Sequence, residues 1–230
     1  MHEWQIDPQE YLERLGLNLG QFKRELHLPR VEDVRKIIPL RDVHTILSLI
    51  PINLELLKYL IRRINTLDGQ SPFKVAEVQI VKIDPRHLKI GQQFVYRENY
   101  QKLLEEVPDI FGKFVVNPGG LGDLGGYFVF GYNGSDTYSL ACYVPPIIER
   151  HQSELIVMDG IHRNYIAKQS GMAINAILVN NVSLPFPCGP RDWSDIRVIP
   201  LAEKPKDINE RYFDLKKELF RDLKYLGIDG

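Results

Sequence analysis

The residues with the clearest chemical pattern are residues 159–164, Asp-Gly-Ile-His-Arg-Asn, which directly follow an apolar run at 155–158. An apolar run that turns through Asp-Gly into a segment with helical spacing predicts a buried strand, a tight turn and a helix. The first N–H groups of a helix and the positive end of its dipole favour an anion, and an arginine can grip phosphate oxygens in a bidentate manner. His162 adds a group that titrates near neutral pH. The pattern is typical of a phosphate-binding turn.

The same residues also have an ordinary structural interpretation. Asp159 and Gly160 are common turn residues, and an aspartate at this position also serves as a helix cap. His162 and Arg163 would then be solvated residues of the first helical turn. The residue pattern leaves both interpretations open.

The elements around this motif predict a mixed α/β region that begins near residue 76 and positions the turn. The predicted elements are a strand at 78–83 that leads into the turn Asp84-Pro85, a helix at 98–107, a hairpin of 127–130 and 138–143 joined through Asn133-Gly134, a strand at 155–158, a helix ending at Gly171, and a strand at 174–179. Residues 155–179 have the size of a small strand-helix-strand crossover unit.

The regions before and after this core are predicted to be helical. Residues 1–75 form a helical N-terminal region, with Asp7 as the cap of a short helix that ends at Gly16 and with no alternating strand pattern. Residues 76–185 form the α/β domain. Residues 186–230 begin irregularly, and apolar residues at helical spacing from Ile208 to Leu226 predict a long amphipathic helix that packs on the core or on a partner.

Composition and charge argue against a disulfide scaffold, a cysteine metal site, a membrane span and an overall attraction to nucleic acid or lipid. The chain has 230 residues, 29 Lys and Arg against 30 Asp and Glu, and a net charge of -1, so no overall field attracts nucleic acid or anionic lipid. Cys142 and Cys188 are too few for a disulfide scaffold and lack metal-ligand spacing. The most apolar long stretch, residues 46–64, is interrupted by polar and charged residues. We expect a cytoplasmic protein without a membrane partner.

The motif and its surroundings resemble the ParB/sulfiredoxin superfamily. Members carry motifs of the type Asp-Gly-His-His-Arg or Gly-Cys-His-Arg at a strand-to-helix turn, and the motif stands here as residues 159–163. The segment Val144-Pro145-Pro146-Ile147 resembles the strand before that motif, and residues 174–179 resemble the strand after it. Ile83-Asp84-Pro85 and the helix near Glu98 resemble the opening strand and first helix of the domain. The similarity covers roughly residues 76–182.

The departures from the family restrict the activity that the resemblance implies. Sulfiredoxin has a cysteine where this chain has Ile161, which argues against sulfinic-acid reduction. The partition proteins usually have a Gly-Glu-Arg-Arg type of sequence, which argues against a CTP clamp. The motif is closer to the branch that includes free-serine kinase and the DGQHR-type regulators of DNA modification, although Ile161 replaces the first histidine or glutamine of those motifs.

The resemblance implies a nucleotide-binding protein of mixed α/β, ParB/sulfiredoxin-like fold. Its nucleotide-binding residues would be Gly160, Ile161, His162, Arg163 and Asn164. ATP or another purine nucleotide with Mg²⁺ would be the ligand, and the reaction would be nucleotide hydrolysis or phosphate transfer to a small hydroxyl compound. The implied catalytic residues are Asp159, His162 and a glutamate, for which Glu98 and Glu149 are the candidates.

Two alternatives belong to other functional classes. Residues 21–63 hold nine Lys or Arg against five Asp or Glu, which is compatible with a DNA-associated binding or regulatory protein whose motif contacts nucleic-acid phosphates. The other alternative is a structural protein that forms oligomers through the C-terminal helix.

Overall fold

The computed structural model describes residues 4–27, 30–114 and 120–229, with the side chains of these except 106–114, 120, 121 and 229. The α-helices in this part of the chain are α1 (Pro8–Leu15), α2 (Leu19–Leu26), α3 (Leu54–Ile61), α4 (Arg97–Phe114) and α5 (Ile161–Gln169). The strands are β1 (Lys36–Ile37), β2 (Val43–Pro51), β3 (Asn65–Thr66), β4 (Glu77–Ile83), β5 (Lys89–Ile90), β6 (Phe94–Tyr96), β7 (Tyr127–Asn133), β8 (Tyr138–Tyr143), β9 (Ile147–His151), β10 (Glu154–Asp159), β11 (Ile174–Asn180), β12 (Arg197–Ile199), β13 (Arg221–Asp222) and β14 (Ile228–Asp229). The described chain is a mixed α/β protein, as the sequence predicts.

The chain folds into two compact units, each built from separate stretches of sequence. The first unit contains residues up to 65, residues 125–144 and residues from 222 onward, and the second contains residues 66–124 and 145–221. The hairpin of β7 and β8, which the sequence analysis groups with residues 76–185, is part of the first unit. The motif at residues 159–164 lies in the second unit.

In its described residues, the first unit is a sheet with the short helices α1, α2 and α3. The strand order is β1-β8-β7-β2, and β14 also pairs with β8. The predicted cap of α1 is confirmed, because the Asp7 side chain accepts hydrogen bonds from the N–H groups of Gln9 and Glu10 and Gly16 ends the helix in the left-handed conformation. The hairpin is also confirmed, with Asn133 Oδ1 accepting from the N–H groups of Ser135 and Thr137.

The prediction of an N-terminal region made only of helices is wrong, because β2 is a nine-residue strand that pairs with β7. Its register with β7 shifts between Val43 and Thr45 and again between Ile46 and Ser48. Each shift adds one residue to β2 and breaks the period of two that identifies a strand in a sequence. Because of these two bulges, the sequence of β2 lacks the regular alternation that would predict a strand.

The second unit holds the predicted core elements in a sheet of order β4-β11-β9-β10-β5, beside a separate pair formed by β12 and β6. The strands predicted at 78–83, 155–158 and 174–179 correspond to β4, β10 and β11. The expected crossover between the last two is not formed: β9 lies between them, antiparallel to β10 and parallel to β11. A buried apolar cluster, which includes Ile148, Val157 and Ile161, joins this sheet to α5.

The predicted C-terminal amphipathic helix is also wrong. Residues 208–226 form three short 3₁₀ turns, Asn209–Arg211, Lys217–Leu219 and Lys224–Leu226, together with β13. Between the first two turns the backbone bonds to distant segments instead of to a helical turn: Phe213 N–H donates to the carbonyl of Gly91, and the Phe213 carbonyl accepts from Gly189 N–H. Asp214 has a φ of 47°, which a right-handed helix excludes. Tertiary hydrogen bonds override the helical spacing of the apolar residues.

Candidate functional site

The motif begins where β10 ends, at a turn that only glycine fits. Asp159 is the last residue of β10, and Gly160 precedes α5 with a φ of 82°. A Cβ atom at Gly160 would lie 2.8 Å from the Cβ of Pro146. Both the left-handed backbone and this close approach require glycine. The space beside Gly160 is occupied by Pro146, so this glycine is explained by packing within the unit.

Asp159 and Arg163 form an ion pair across the first turn of α5. Arg163 Nη2 lies 3.1 Å from Asp159 Oδ2, and the exposed fractions of the two side chains are 1% and 18%. Burial raises the pKa of Asp159, and the positive charge of Arg163 and a hydrogen bond from the Gly160 N–H partly offset that effect. Arg163 is therefore a buried residue held by Asp159, and the interpretation of it as a solvated first-turn residue is wrong.

His162 connects the motif to the end of β6. Its Nε2 accepts a hydrogen bond of 3.0 Å from the backbone N–H of Tyr96, and the two rings lie 5.7 Å apart. Burial, together with the positive charges of Lys204 and Arg163, lowers the pKa of His162 to about 4. The imidazole is neutral at pH 7. Its Nε2 is the acceptor of a structural hydrogen bond.

The side chains of Ile161 and Asn164 point into the interior. Ile161 is 5% exposed and belongs to the apolar cluster. Asn164 is fully buried, and its Nδ2 donates to the Gly160 carbonyl at 3.0 Å. Any contact that Ile161 makes with a ligand must therefore come from its backbone. The first turn of α5 offers such groups, because Gly160 provides no capping side chain and no acidic residue follows in the first turn.

Glu98 has a positioning role in the structure. Its Oε2 accepts a hydrogen bond of 2.6 Å from the backbone N–H of Leu201, and this bond lowers the pKa of the carboxyl. Leu201 opens a 3₁₀ turn that ends at Glu203, directly before Lys204. The structure thus connects Glu98 to the segment that carries Lys204.

Glu149, the other candidate glutamate, is fully buried in an ion pair. Its two carboxylate oxygens each accept from Arg221, both at 2.9 Å, and Oε2 also lies 2.7 Å from His151 Nε2. Arg221 is 2% exposed and also donates to the carbonyls of Leu219 and Pro185. This network joins β9 to Arg221 of β13 and to the segment at Pro185. Both carboxylate oxygens of Glu149 have partners and the side chain is fully buried, which does not favour contact with a substrate hydroxyl.

The sequence analysis missed residues that lie around the turn. Lys204 Nζ lies 5.2 Å from the centre of the Tyr96 ring, and its charge acts on His162. Tyr212 Oη is 3.1 Å from Gln92 Nε2, and burial raises its pKa, with a smaller contribution from the charge of Asp159. Lys204 and Tyr212 are 40 or more residues away from the motif along the chain, and no spacing rule connects them to it.

Residues 118–126 are rich in glycine. Residues 118 and 119 lie outside the described residues. Gly120–Asp123 form a 3₁₀ turn, in which Gly122 approaches the carbonyl of Ala173 and Asp123 is ion-paired with Lys82.

Comparisons of the chain with protein-family models, curated proteins and solved structures found no match. Among the described residues, no helix has both the length and the apolar character needed to cross a membrane. No group of three or more His, Cys, Asp or Glu side chains in the same part of the chain is arranged to hold a metal ion.

Proposed function

We propose that the turn from β10 into α5 binds the phosphate groups of a purine nucleotide. The observation that carries this proposal is the combination of an uncapped helix N-terminus with nearby positive charge. Arg163 lies in the first turn of α5, and Lys204 lies 5.2 Å from the ring of Tyr96, whose N–H binds His162. Burial lowers the pKa of His162, and the charges of Lys204 and Arg163 add to that effect. Backbone N–H groups and fixed positive charge together favour a phosphate. The choice of a purine nucleotide rests on the resemblance of the motif to the ParB/sulfiredoxin superfamily.

In this proposal the backbone N–H groups of Ile161 and His162 donate to phosphate oxygens, and Lys204 supplies the nearby cation. Arg163 orients the turn through its ion pair with Asp159 and contributes its positive charge. Glu98 places Lys204 by holding the N–H of Leu201. Gly160 and Asn164 maintain the backbone of the turn.

The arrangement supports nucleotide binding better than phosphate transfer. Two of the three predicted catalytic groups, His162 Nε2 and a carboxylate oxygen of Glu98, are in hydrogen bonds to backbone N–H groups. Asp159 is the remaining acidic group, and its carboxylate is paired with Arg163. Mg²⁺ in nucleotide sites is commonly held by one or two carboxylates together with phosphate oxygens. Asp159 fits the place of a single carboxylate ligand, and the ion would supply positive charge to the phosphates.

The test is a thermal-shift screen of the purified chain with ATP, ADP, GTP and CTP, with and without Mg²⁺. A ligand that binds only the folded state, at about 100 times its dissociation constant, adds about 2.7 kcal/mol to the stability. We expect a purine nucleotide to raise the melting temperature. Lys204→Met should weaken binding about tenfold or more, in line with the loss of a charge-assisted hydrogen bond.

Lys206→Met is the matched control, because Lys206 lies two residues further along the same segment and is exposed. Equal binding by the two variants would contradict the assigned role of Lys204. No shift with any nucleotide, combined with salt-dependent retention on duplex DNA, would replace the proposal with the DNA-associated alternative.

A further inference from the structure

The turn between β7 and β8 contains the one Asn-Gly pair in the sequence, Asn133-Gly134. Two backbone hydrogen bonds close this turn, from Asp136 N–H to the Asn133 carbonyl and from Asn133 N–H to the Thr137 carbonyl, and both are 3.1 Å long. Residues 134–136 are exposed. The Asn-Gly pair is therefore held in a tight turn that water reaches.

The side chain of Asn133 is folded back along the chain that follows it. Its Oδ1 accepts hydrogen bonds of 3.0 Å from the N–H groups of Ser135 and Thr137. A bond from an asparagine oxygen to the N–H two residues further on closes a ring that mimics a backbone turn. In this ring Cγ takes the place of the first carbonyl carbon of the turn, which lies beside the nitrogen of the next residue. The ring thus brings an amide carbon close to the Gly134 nitrogen.

The hydrogen bonds to Oδ1 also favour addition of a nitrogen to Cγ. Such an addition places negative charge on Oδ1, and N–H donors that are already aimed at the oxygen stabilise that charge. Neither bond uses Nδ2 of Asn133, which is the group that must leave. Glycine at position 134 has no side chain to hinder its own nitrogen.

The imidazole of His44 lies against Gly134, and both residues belong to the first unit. A Cβ atom at Gly134 would lie 2.8 Å from Cε1 and 3.2 Å from Nδ1 of the His44 ring. His44 is exposed and follows Val43, which lies opposite Asn133 in the register of β2 and β7. A neutral imidazole in this place can take the proton of the Gly134 N–H, directly or through one water molecule. His44 is therefore in the position of a general base.

We propose that Asn133 is a site of self-catalysed deamidation in the folded protein. The Gly134 nitrogen forms a bond to Cγ of Asn133 and gives its proton to His44. The bond from Cγ to Nδ2 breaks, and Nδ2 takes up that proton and leaves as ammonia. One water molecule then opens the cyclic imide at either of its carbonyl carbons, which gives aspartate or isoaspartate.

The reaction adds one negative charge to the turn. The isoaspartate form also places an additional carbon in the main chain between β7 and β8. This site is independent of the proposed phosphate-binding turn, which lies in the other unit.

The first experiment incubates the purified native chain at neutral pH in water enriched in ¹⁸O and follows individual asparagines by peptide mass spectrometry. Asn133 should convert to aspartate and isoaspartate with incorporation of ¹⁸O, whereas the control Asn181 should remain an amide. Asn181 is also exposed, but the valine that follows it hinders the backbone nitrogen. No conversion of Asn133, or equal conversion of the two asparagines, overturns the proposal.

A second experiment tests whether His44 takes part in the reaction. His44→Phe keeps a ring against Gly134 but removes the proton acceptor, so it should slow the conversion of Asn133 about tenfold or more. His87→Phe is the matched control, because His87 is also exposed and lies in the other unit, and it should keep the native rate. Equal rates in the two variants overturn the proposal.

A third comparison decides the matter even if His44→Phe fails to fold. Unfolding the native chain in urea separates His44 and the N–H donors from Asn133, so Asn133 should convert more slowly in the unfolded chain than in the folded chain. A reaction that is equally fast or faster in urea would show only the reactivity of any Asn-Gly pair and would overturn catalysis by the fold.

Discussion

Replacing Gly160 with alanine should destabilise the protein more than the same change at Gly171, which lies just after the end of the same helix. Both glycines have left-handed backbones, with φ values of 82° and 64°. A Cβ atom at position 160 meets Pro146 at 2.8 Å, whereas a Cβ at position 171 meets nothing within 4 Å. The comparison therefore separates the backbone conformation from the close contact.

The expected loss in the free energy of unfolding is the sum of two contributions. The left-handed conformation costs a non-glycine residue about 1–2 kcal/mol, and overpacking of a filled site costs about 1–3 kcal/mol. We therefore expect Gly171→Ala to lower the free energy of unfolding by about 1–2 kcal/mol, and Gly160→Ala by about 2–5 kcal/mol. The smaller conformational entropy of alanine in the unfolded chain affects both variants equally.

The assay is urea-induced unfolding of the native chain and the two variants. Gly160→Ala should cost less stability in a Pro146→Gly background than in the native chain, because the Pro146 Cβ atom that the new Cβ meets at 2.8 Å is then absent. Equal losses at the two glycines, or an equal cost of Gly160→Ala in the two backgrounds, would refute the packing explanation of Gly160 and favour a role in ligand approach.

Two further predictions concern buried charge and pH. Glu149→Ala should lower the free energy of unfolding by about 3–5 kcal/mol, because it leaves the Arg221 guanidinium buried without its carboxylate. Urea unfolding of this variant and of the exposed control Glu154→Ala measures the loss. A loss in Glu149→Ala as small as that in the control contradicts the prediction. His162 has a folded-state pKa of about 4, below its unfolded value of about 6.5, so its contribution to stability is present above pH 6.5 and is lost as the pH falls toward 4. Unfolding measurements from pH 7 to pH 4 should show a smaller loss in His162→Asn than in the native chain, and parallel curves for the two proteins would be inconsistent with a buried neutral histidine.

Part of the second unit could be predicted from the sequence, because β10 and β11 are mostly apolar runs and a glycine follows α5. The end of α4 could not, since the helix runs to Phe114 and the prediction stops at residue 107. The turn at Gly160 and the end of α5 near Gly171 follow from local rules for glycine. The strand β2 could not be predicted in the same way, because two bulges disturb its alternation. The apolar residues of the segment 208–226 have helical spacing, but its backbone bonds to other segments and turns at Asp214 into the left-handed region.

The position of the candidate site could be predicted from the sequence, but the role of each of its residues could not. The positions of Asp159 and Arg163 on one turn follow from their spacing of four residues. Their burial, the use of His162 Nε2 by Tyr96 and the approach of Lys204 depend on contacts between residues far apart in the sequence. No local pattern encodes such contacts, so the assignment of His162 and Glu98 to catalysis stays a prediction that their hydrogen bonds do not favour.

The central claim is that the first turn of α5 binds phosphate, and backbone amide chemical shifts measured by NMR during titration with ATP test it most directly. The account predicts that the amide resonances of Ile161 and His162 move in a saturable manner, and that Lys204→Met requires a higher ATP concentration for the same change. Movement of amide resonances only at other places, or no movement at saturating nucleotide, would contradict the account.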